Sequence, residues 1–346
     1  MRKNNKIKII ILIILLILAI LFSITVGAIG IPLVDTIKIL LNKIGFLSSK
    51  VDISNIKESN IFIILNIRLP RILLAALVGS VLSVAGSSYQ AIFKNPMADP
   101  YVMGTSSGAA FGATIGLVLG LSQSLLGFGL TSIFAFIGAL ATTLIVYTLA
   151  RTGNKISTTS ILLAGIVMSS ILSSGISIMM IFNHNELDKI IAWTMGSFNA
   201  ASWKQIAIII GPVVVGLVIL MSLSREMNAI AMGEEDAQNI GVNVELVKKL
   251  ILILASLLSA CVVAVSGIIG FVGIIIPHLF RLLFGADHKI LLPASAIGGG
   301  MFLLLSDTLA RTLVPGVEIP VGVITSIFGG PFFLYLLRKS KNRKLI

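Results

Sequence analysis

Four of the chain's 14 carboxylates, Glu226, Glu234, Glu235 and Asp236, fall in one polar stretch, Ser224 to Gly241, set between two long apolar runs. So dense a group of anions in so apolar a chain suits display to a partner. Composition alone also accommodates a solvated loop between helices. Glu234, Glu235 and Asp236 suit the positive start of a short helix, and Gly241 suits its end. Gly233 predicts a sharp entry turn, because glycine tolerates backbone angles that other residues resist. Ala237 is small enough to pack closely against a partner.

Reaction chemistry has few other carriers. The chain holds no Gly-x-x-x-x-Gly-Lys-Ser/Thr phosphate loop and no His-Glu-x-x-His pair. The histidines, His184, His278 and His288, are not spaced four apart, so a metal site is not expected. No Ser/His, paired-Asp or His/Glu constellation falls within an apolar run, so no catalytic residue is assigned and an intramembrane enzyme is not expected. His278 follows Pro277. A ligand or proton relay is one reading; a structural role beside the proline is the favoured one. Cys261 stands alone, which leaves no disulfide or thiolate metal site. Asp307 is the main intramembrane charge, and Arg311 lies at i+4, where a helix permits an ion pair. A stand-alone secondary carrier or channel would use ionisable groups deep in the bundle. Their scarcity points to energy supplied from elsewhere. Arg68, Arg71 and Arg311 fall at the outer ends of apolar runs. Arginine there suits the carboxylates of a docking partner, or else snorkels to head groups.

The elements that must position these residues follow from composition. With 56% hydrophobic and 12% charged residues, and a mean hydropathy of +1.06, the chain lies far from soluble domains, where about a quarter of residues are charged. Apolar runs of about 20 residues, enough for a helical span, recur along nearly its whole length. The expected class is all-α: a polytopic membrane protein with about ten transmembrane helices and a single transmembrane domain over 1–346. The expected spans are Ile9–Ile31, Ile61–Phe93, Tyr101–Leu121, Gly127–Ala150, Ile156–Phe182, Gln205–Leu223, Val244–Val265, Gly267–Phe284 interrupted by Pro277, Ile290–Leu305 and Pro320–Leu337. The basic Met1–Lys8 and the long run after it read as a first span, since the run exceeds a signal-peptide core. Between the first two spans, Val34, Ile37, Leu41 and Ile44 predict an amphipathic surface helix. Small residues from Gly104 to Ala110 predict close helix approach. Trp193 and Trp203 suit an interfacial belt.

Ten spans put both termini on one side. Of 26 basic residues, 17 then fall on the side of the termini and 9 on the other, which places the termini and the segment 225–243 in the cytoplasm. The net charge of +12 sits at span ends, so nucleic acid is not an expected partner; the lipid bilayer is.

A set of motifs in order carries a resemblance: Arg68-Leu69-Pro70-Arg71, Asn95-Pro96-Met97-Ala98-Asp99-Pro100, Leu163-Ala164-Gly165, Trp193-Thr194-Met195-Gly196-Ser197, Gly233-Glu234-Glu235-Asp236-Ala237, Gly270-Phe271-Val272-Gly273, Ile276-Pro277-His278 with Arg281, Asp287-His288-Lys289, and Glu318-Ile319-Pro320. From about Ile67 to Leu337 the chain resembles the permease subunits of ABC importers for iron-siderophore, haem or cobalamin complexes, the FecCD type. The resemblance implies an ABC importer type II permease fold in the cytoplasmic (inner) membrane of a prokaryote. It implies a homodimer with a second copy of the chain, two ATP-binding cassette subunits below and one extracytoplasmic substrate-binding protein outside. ATP would be used by the partner subunit, with no cofactor bound by this chain. Gly233, Glu234, Glu235, Ala237 and Gly241 match the family's coupling helices. Arg68, Arg71 and Arg311 match positions that receive the binding protein's carboxylates. Asn95, Met97, Thr158 and Thr159 match the inner gate, and the fifth span lines the path. Family members often carry a basic residue near Gln238, where this chain has Gln238-Asn239. An iron-siderophore is the substrate expected from family frequency.

Overall fold

The computed structural model describes residues 3–343 apart from 28, 44–50, 121–123, 126–127, 153–154 and 315. Its helices are α1 (Lys3–Thr25), α2 (Leu33–Asn42), α3 (Glu58–Phe62), α4 (Leu69–Ile92), α5 (Thr105–Val118), α6 (Leu130–Ala150), α7 (Thr158–Phe182), α8 (Leu187–Thr194), α9 (Trp203–Ser222), α10 (Ser224–Met232), α11 (Glu234–Asn239), α12 (Val244–Ser266), α13 (Val272–Phe284), α14 (His288–Ala310) and α15 (Val321–Arg343). A π-helical stretch, Ile63–Arg68, joins α3 to α4 without a break. Two-residue hairpins, Ser124–Leu125 with Phe128–Gly129 and Arg151–Thr152 with Lys155–Ile156, flank α6.

Ten of these helices answer to the ten expected spans, but not all are long enough to cross alone. Seven are. α5 has 14 residues and α13 has 13, lengths of about 21 and 20 Å against a hydrocarbon core of about 30 Å. Their missing lengths are irregular backbone. Before α5, Asn95 and Asp99 accept the backbone N–H groups of Met97 and Tyr101, both at 2.9 Å, and Gly104 takes φ +71°. Before α13, residues 267–271 are non-helical and end on Phe271 at φ 70°. The break in the eighth span therefore lies there and not at Pro277, which α13 carries within the helix. The two breaks meet: the Tyr101 hydroxyl donates to the Ile269 carbonyl at 2.6 Å and accepts from the Ile269 N–H at 3.2 Å. Irregular backbone at membrane depth is tolerated only where protein satisfies it, and this pairing does so.

α4 is the central helix. It is apolar or small all round, as a fully surrounded helix must be, and almost every residue from Leu74 to Ile92 is buried. It lies against α14 so closely that a Cβ on Gly79 would stand 2.2 Å from the Gly299 carbonyl oxygen. α5 meets α6 in the same manner, with Gly108 facing the Gly138 carbonyl. The small-residue stretch thus does what its composition predicts. α2 forms as expected. Its buried residues are Thr36 and Ile39, however, while Val34 of the expected face is exposed. Ile44, Gly127 and residues 344–346 lie outside the described residues. His278 packs its ring edge-on to Phe332 of α15, 6.3 Å between centroids.

Candidate functional site

Functional side chains collect in three groups. At one end of the bundle, Arg68 closes the π-helical turn and is buried. Its guanidinium donates to the carbonyls of Ile24 at 2.7 Å, Thr25 at 3.0 Å, and Ile29. Those of Ile24 and Thr25 belong to the last turn of α1, where carbonyls lack helical partners and a cation is favoured. Arg71 faces α14. Its Nε and Nη2 donate to the Asp307 carboxylate at 2.9–3.1 Å, and its Nη1 donates to Glu318 at 3.2 Å. Arg311 donates to the Ser23 carbonyl and, at 3.1 Å, to Ser23 Oγ. Its i, i+4 approach to Asp307, foreseen from spacing, is 3.8 Å, too long for a hydrogen bond. The dominant partner of Asp307 is Arg71.

Neither snorkelling nor a free guanidinium describes these arginines. All three turn inward and tie α1, α4 and α14 together. Arg71 meets two carboxylates and Arg311 approaches one of them, while the Arg68 hydrogen bonds go to backbone carbonyls. Asp307 is 1% exposed, whereas the Glu318 side chain is 45% exposed. Among the side-chain acceptors of the cluster, Asp307, Ser23 and Glu318, the one open to solvent is Glu318.

A second group lies along α7, which starts on Thr158 and Thr159, capped by Ser157 Oγ from the Ser160 N–H at 3.3 Å. Thr158 is half-buried and Thr159 exposed, while Asn95 and Met97 are half-buried in the break before α5. α7 buries less of itself than any other of the seven long helices. It exposes a stripe, Ser170, Ser173, Ser174 and Ser177, at spacings that share one face. A groove of about 440 Å³ runs between α7 and the α5 break, lined by Tyr101, Gly165, Ser169 and Ser173 among others. The Ser170, Ser174 and Ser177 hydroxyls donate to carbonyls one turn back, at 3.0–3.1 Å.

At the other end, the polar stretch forms two helices, α10 and α11, where the sequence predicted one. Gly241 ends α11 at φ +88°. The N–H of Gly241 returns to the Gln238 carbonyl and that of Val242 to Ala237, both at 2.9 Å, the paired bonds of a Schellman stop. Gly233 differs from expectation. Its φ of 172° is ordinary extended backbone, so the turn between α10 and α11 does not demand glycine. Ala237 is also corrected: it is 0% exposed and packs into the chain's own core, so it does not face a partner. The outward apolar residues are Met232, 84% exposed, and Ile240, 73% exposed. Two apolar side chains at the edges of a carboxylate-rich helix were visible in the sequence; their exposure was not. Glu234 pairs with Lys248 of α12 at 2.6 Å. Asn228 donates to Asp287 at 2.7 Å and accepts the His288 N–H at 2.8 Å. Burial opposes ionisation of Asp287, but hydrogen bonds from Asn228 and the Lys289 N–H, with the Lys289 charge, hold its carboxyl below the usual value. Glu235 and Asp236 remain exposed. The module is an exposed apolar-and-acidic surface fastened to α12 and α14.

A buried ionic clamp at one end, an open groove beside a barely covered helix, and a rigid exposed module at the other are the parts of a transport subunit. The FecCD transport family matches residues 15–339. The chain belongs to that family. It is a FecCD-type permease: a multi-pass membrane subunit of ABC importer type, and a transporter component, not an enzyme. It is 41% identical over 84% of its length to the cobalamin import system permease protein BtuC of Halobacterium salinarum, covering 77% of that protein. It is 40% identical over 81% of its length to the hemin transport system permease protein HmuU of Yersinia pestis, covering 84% of that one. A solved inward-facing structure, described as of the metal-chelate ABC transporter type, superposes with a TM-score of 0.81 at 31% identity. That match covers 96% of this permease and 98% of the other chain.

Proposed function

We propose that this permease works as a homodimer in the cytoplasmic membrane, moving a metal chelate inward while two separate ATP-binding cassette subunits hydrolyse ATP. Both termini and the 225–243 module face the cytoplasm in this reading, as the basic-residue bias suggests. The observation that carries it is the module: Met232 and Ile240 exposed beside Glu235 and Asp236, on a base held by Glu234–Lys248 and the Asn228 contacts. A rigid surface of that kind transmits a partner's movement to α12 and α14, which a solvated loop cannot do. Gly233, Glu234, Glu235, Ala237 and Gly241 serve as its frame and acidic surface, with Ala237 acting from inside.

At the outer face an extracytoplasmic binding protein docks over Arg68, Arg71 and Arg311. Arg71 Nη1 is the accessible donor, and docking exchanges Glu318 for a carboxylate of the partner. Asn95, Met97, Thr158 and Thr159 form the inner gate, and the serine face of α7 lines the path of the dimer. The substrate is an iron-siderophore, with haem and cobalamin as the alternatives that the relatives' names supply. The test is reconstitution with an ATP-binding cassette subunit and a substrate-binding protein from the same organism. ATP hydrolysis is measured against ferric siderophores, haem and cobalamin. Stimulation by one chelate, lost in Met232→Ser/Ile240→Ser together with ATPase co-purification, supports the reading. Uptake without an ATPase subunit refutes it.

A further inference from the structure

Two motifs without a place in the transport reading, Ile276-Pro277-His278 with Arg281 and Asp287-His288-Lys289, converge on a cavity of about 230 Å³. It lies where α4, α13, α14 and α10 meet, on the face that carries the 225–243 module. Gln90, Lys94, Pro96, Ala231, Arg281 and His288 line it. Among the described residues, neither Lys94 nor Arg281 has a carboxylate in ion-pair range. Arg281 donates Nη2 to Gln90 Oε1 at 2.9 Å, and Gln90 is itself anchored on the Gly273 carbonyl at 3.1 Å. The neighbouring carboxylate, Asp287, is taken by Asn228 Nδ2 at 2.7 Å and the Lys289 N–H at 3.0 Å.

His288 supplies the decisive observation. It is 3% exposed, and its Nδ1 lies 2.7 Å from Asn228 Oδ1. That oxygen already accepts the His288 backbone N–H at 2.8 Å, while the amide nitrogen donates to Asp287. The orientation of the amide is thereby fixed, and Nδ1 must carry the proton. Nε2 is then a lone pair. It is buried, and no hydrogen-bond partner meets it. A buried polar atom with no partner is costly and calls for one.

Two cations and one buried lone pair select a narrow chemistry. The cations attract an oxyanion, which arginine and lysine both bind well. The lone pair demands a donor on the same ligand. An ionised carboxylate and sulfate carry no such donor. A phosphate monoester or hydrogen phosphate carries both charge and hydroxyl. We propose that this cavity binds a phosphate group retaining one P–O–H, whose charged oxygens accept from Arg281 and Lys94 and whose hydroxyl donates to His288 Nε2. The source is either free hydrogen phosphate or the head group of a phosphomonoester lipid. Asn228 belongs to α10, so the ligand stands one side chain from the module and braces it against α14.

The test uses the full chain purified in phosphate-free detergent. Equilibrium dialysis with radiolabelled inorganic phosphate measures the free-ion arm, with sulfate as the comparison anion. Retention of phosphatidic acid from nanodiscs of phosphatidylcholine and phosphatidic acid, read by native mass spectrometry, measures the lipid arm. Lys94 is exposed, so Lys94→Ala leaves the fold intact. It lowers phosphate or phosphatidic acid binding about tenfold, the worth of one charge-assisted hydrogen bond. Arg281→Gln does the same, and His288→Phe removes the preference for phosphate over sulfate. Loss in the first arm identifies free phosphate, and loss in the second alone identifies the lipid. Equal binding of phosphate and sulfate by the unmodified chain overturns the proposal. So does binding in both arms that Lys94→Ala and Arg281→Gln leave unchanged.

Discussion

Replacing Asp307 with leucine separates a buried clamp from a surface ion pair. Asp307 is 1% exposed and Arg71 9% exposed, and two of the three Arg71 nitrogens donate to this one carboxylate. Asp307→Leu leaves Arg71 with Glu318 alone, and leaves Arg311 without its nearest anion. Removing one partner of a buried pair costs about 3–5 kcal/mol, because the other charge stays desolvated. A solvated pair at a span end would cost about 0–1 kcal/mol. The two cases differ enough for one measurement. The chain is unfolded in mixed micelles of rising SDS content, and unfolding is followed by reaction of a maleimide dye with Cys261, the single cysteine. Asp307→Leu should lose several kcal/mol. The double variant Arg71→Met/Asp307→Leu should recover most of that, since an apolar pair of similar volume is often neutral in place of a buried ion pair. A loss under about 1 kcal/mol in the single variant, or an additive loss in the double, would show that the charges are hydrated.

Three further outcomes are expected. Gly241→Ala places a side chain at φ +88° and costs about 1–2 kcal/mol, so amide exchange in α11 rises about 5- to 30-fold; Gly233→Ala, at φ 172°, leaves exchange unchanged, and equal effects would discard the distinction. Gly79→Leu meets a backbone carbonyl at 2.2 Å and loses at least the about 1–3 kcal/mol of an overpacked core, seen as loss of the monodisperse peak in size-exclusion chromatography; an unchanged profile would mean that α4 and α14 can separate. Ala237→Trp makes residues 224–243 protease-sensitive in the purified chain with no ATPase present, whereas Ile240→Ser lowers ATPase recruitment at normal protease resistance; protease resistance of Ala237→Trp would put that residue back at the partner surface.

The order of spans was legible because hydrocarbon length imposes it, and the α11 stop at Gly241 because glycine chemistry does. Facing was not. In a membrane both the lipid side and the packed side of a helix are apolar, so periodicity carries little information about which is which. Val34 and Ala237, both outside the spans, were placed on the wrong face for a different reason: neither the spacing in α2 nor the small size of Ala237 says which element packs against it. The pairing of Arg71 with Asp307 was hidden by distance along the chain: the two lie 236 residues apart, while Arg311, four residues from Asp307, offered the obvious local pairing. The break at 267–271 was masked by Pro277, a stronger breaker by composition, which α13 nevertheless absorbs. His288 read as one of three unconnected histidines, since nothing local links it to Asn228, 60 residues earlier.

The serines of α7 bear on which surroundings this helix can stand in. Ser170, Ser174 and Ser177 each spend their proton on a carbonyl of their own helix, so this face can rest in acyl chains at little cost. The same hydroxyls keep lone pairs free, and a slight rotation presents them to water. A surface whose donors are already satisfied and whose acceptors stay open tolerates both oil and water, so α7 can border either without any change in its own backbone.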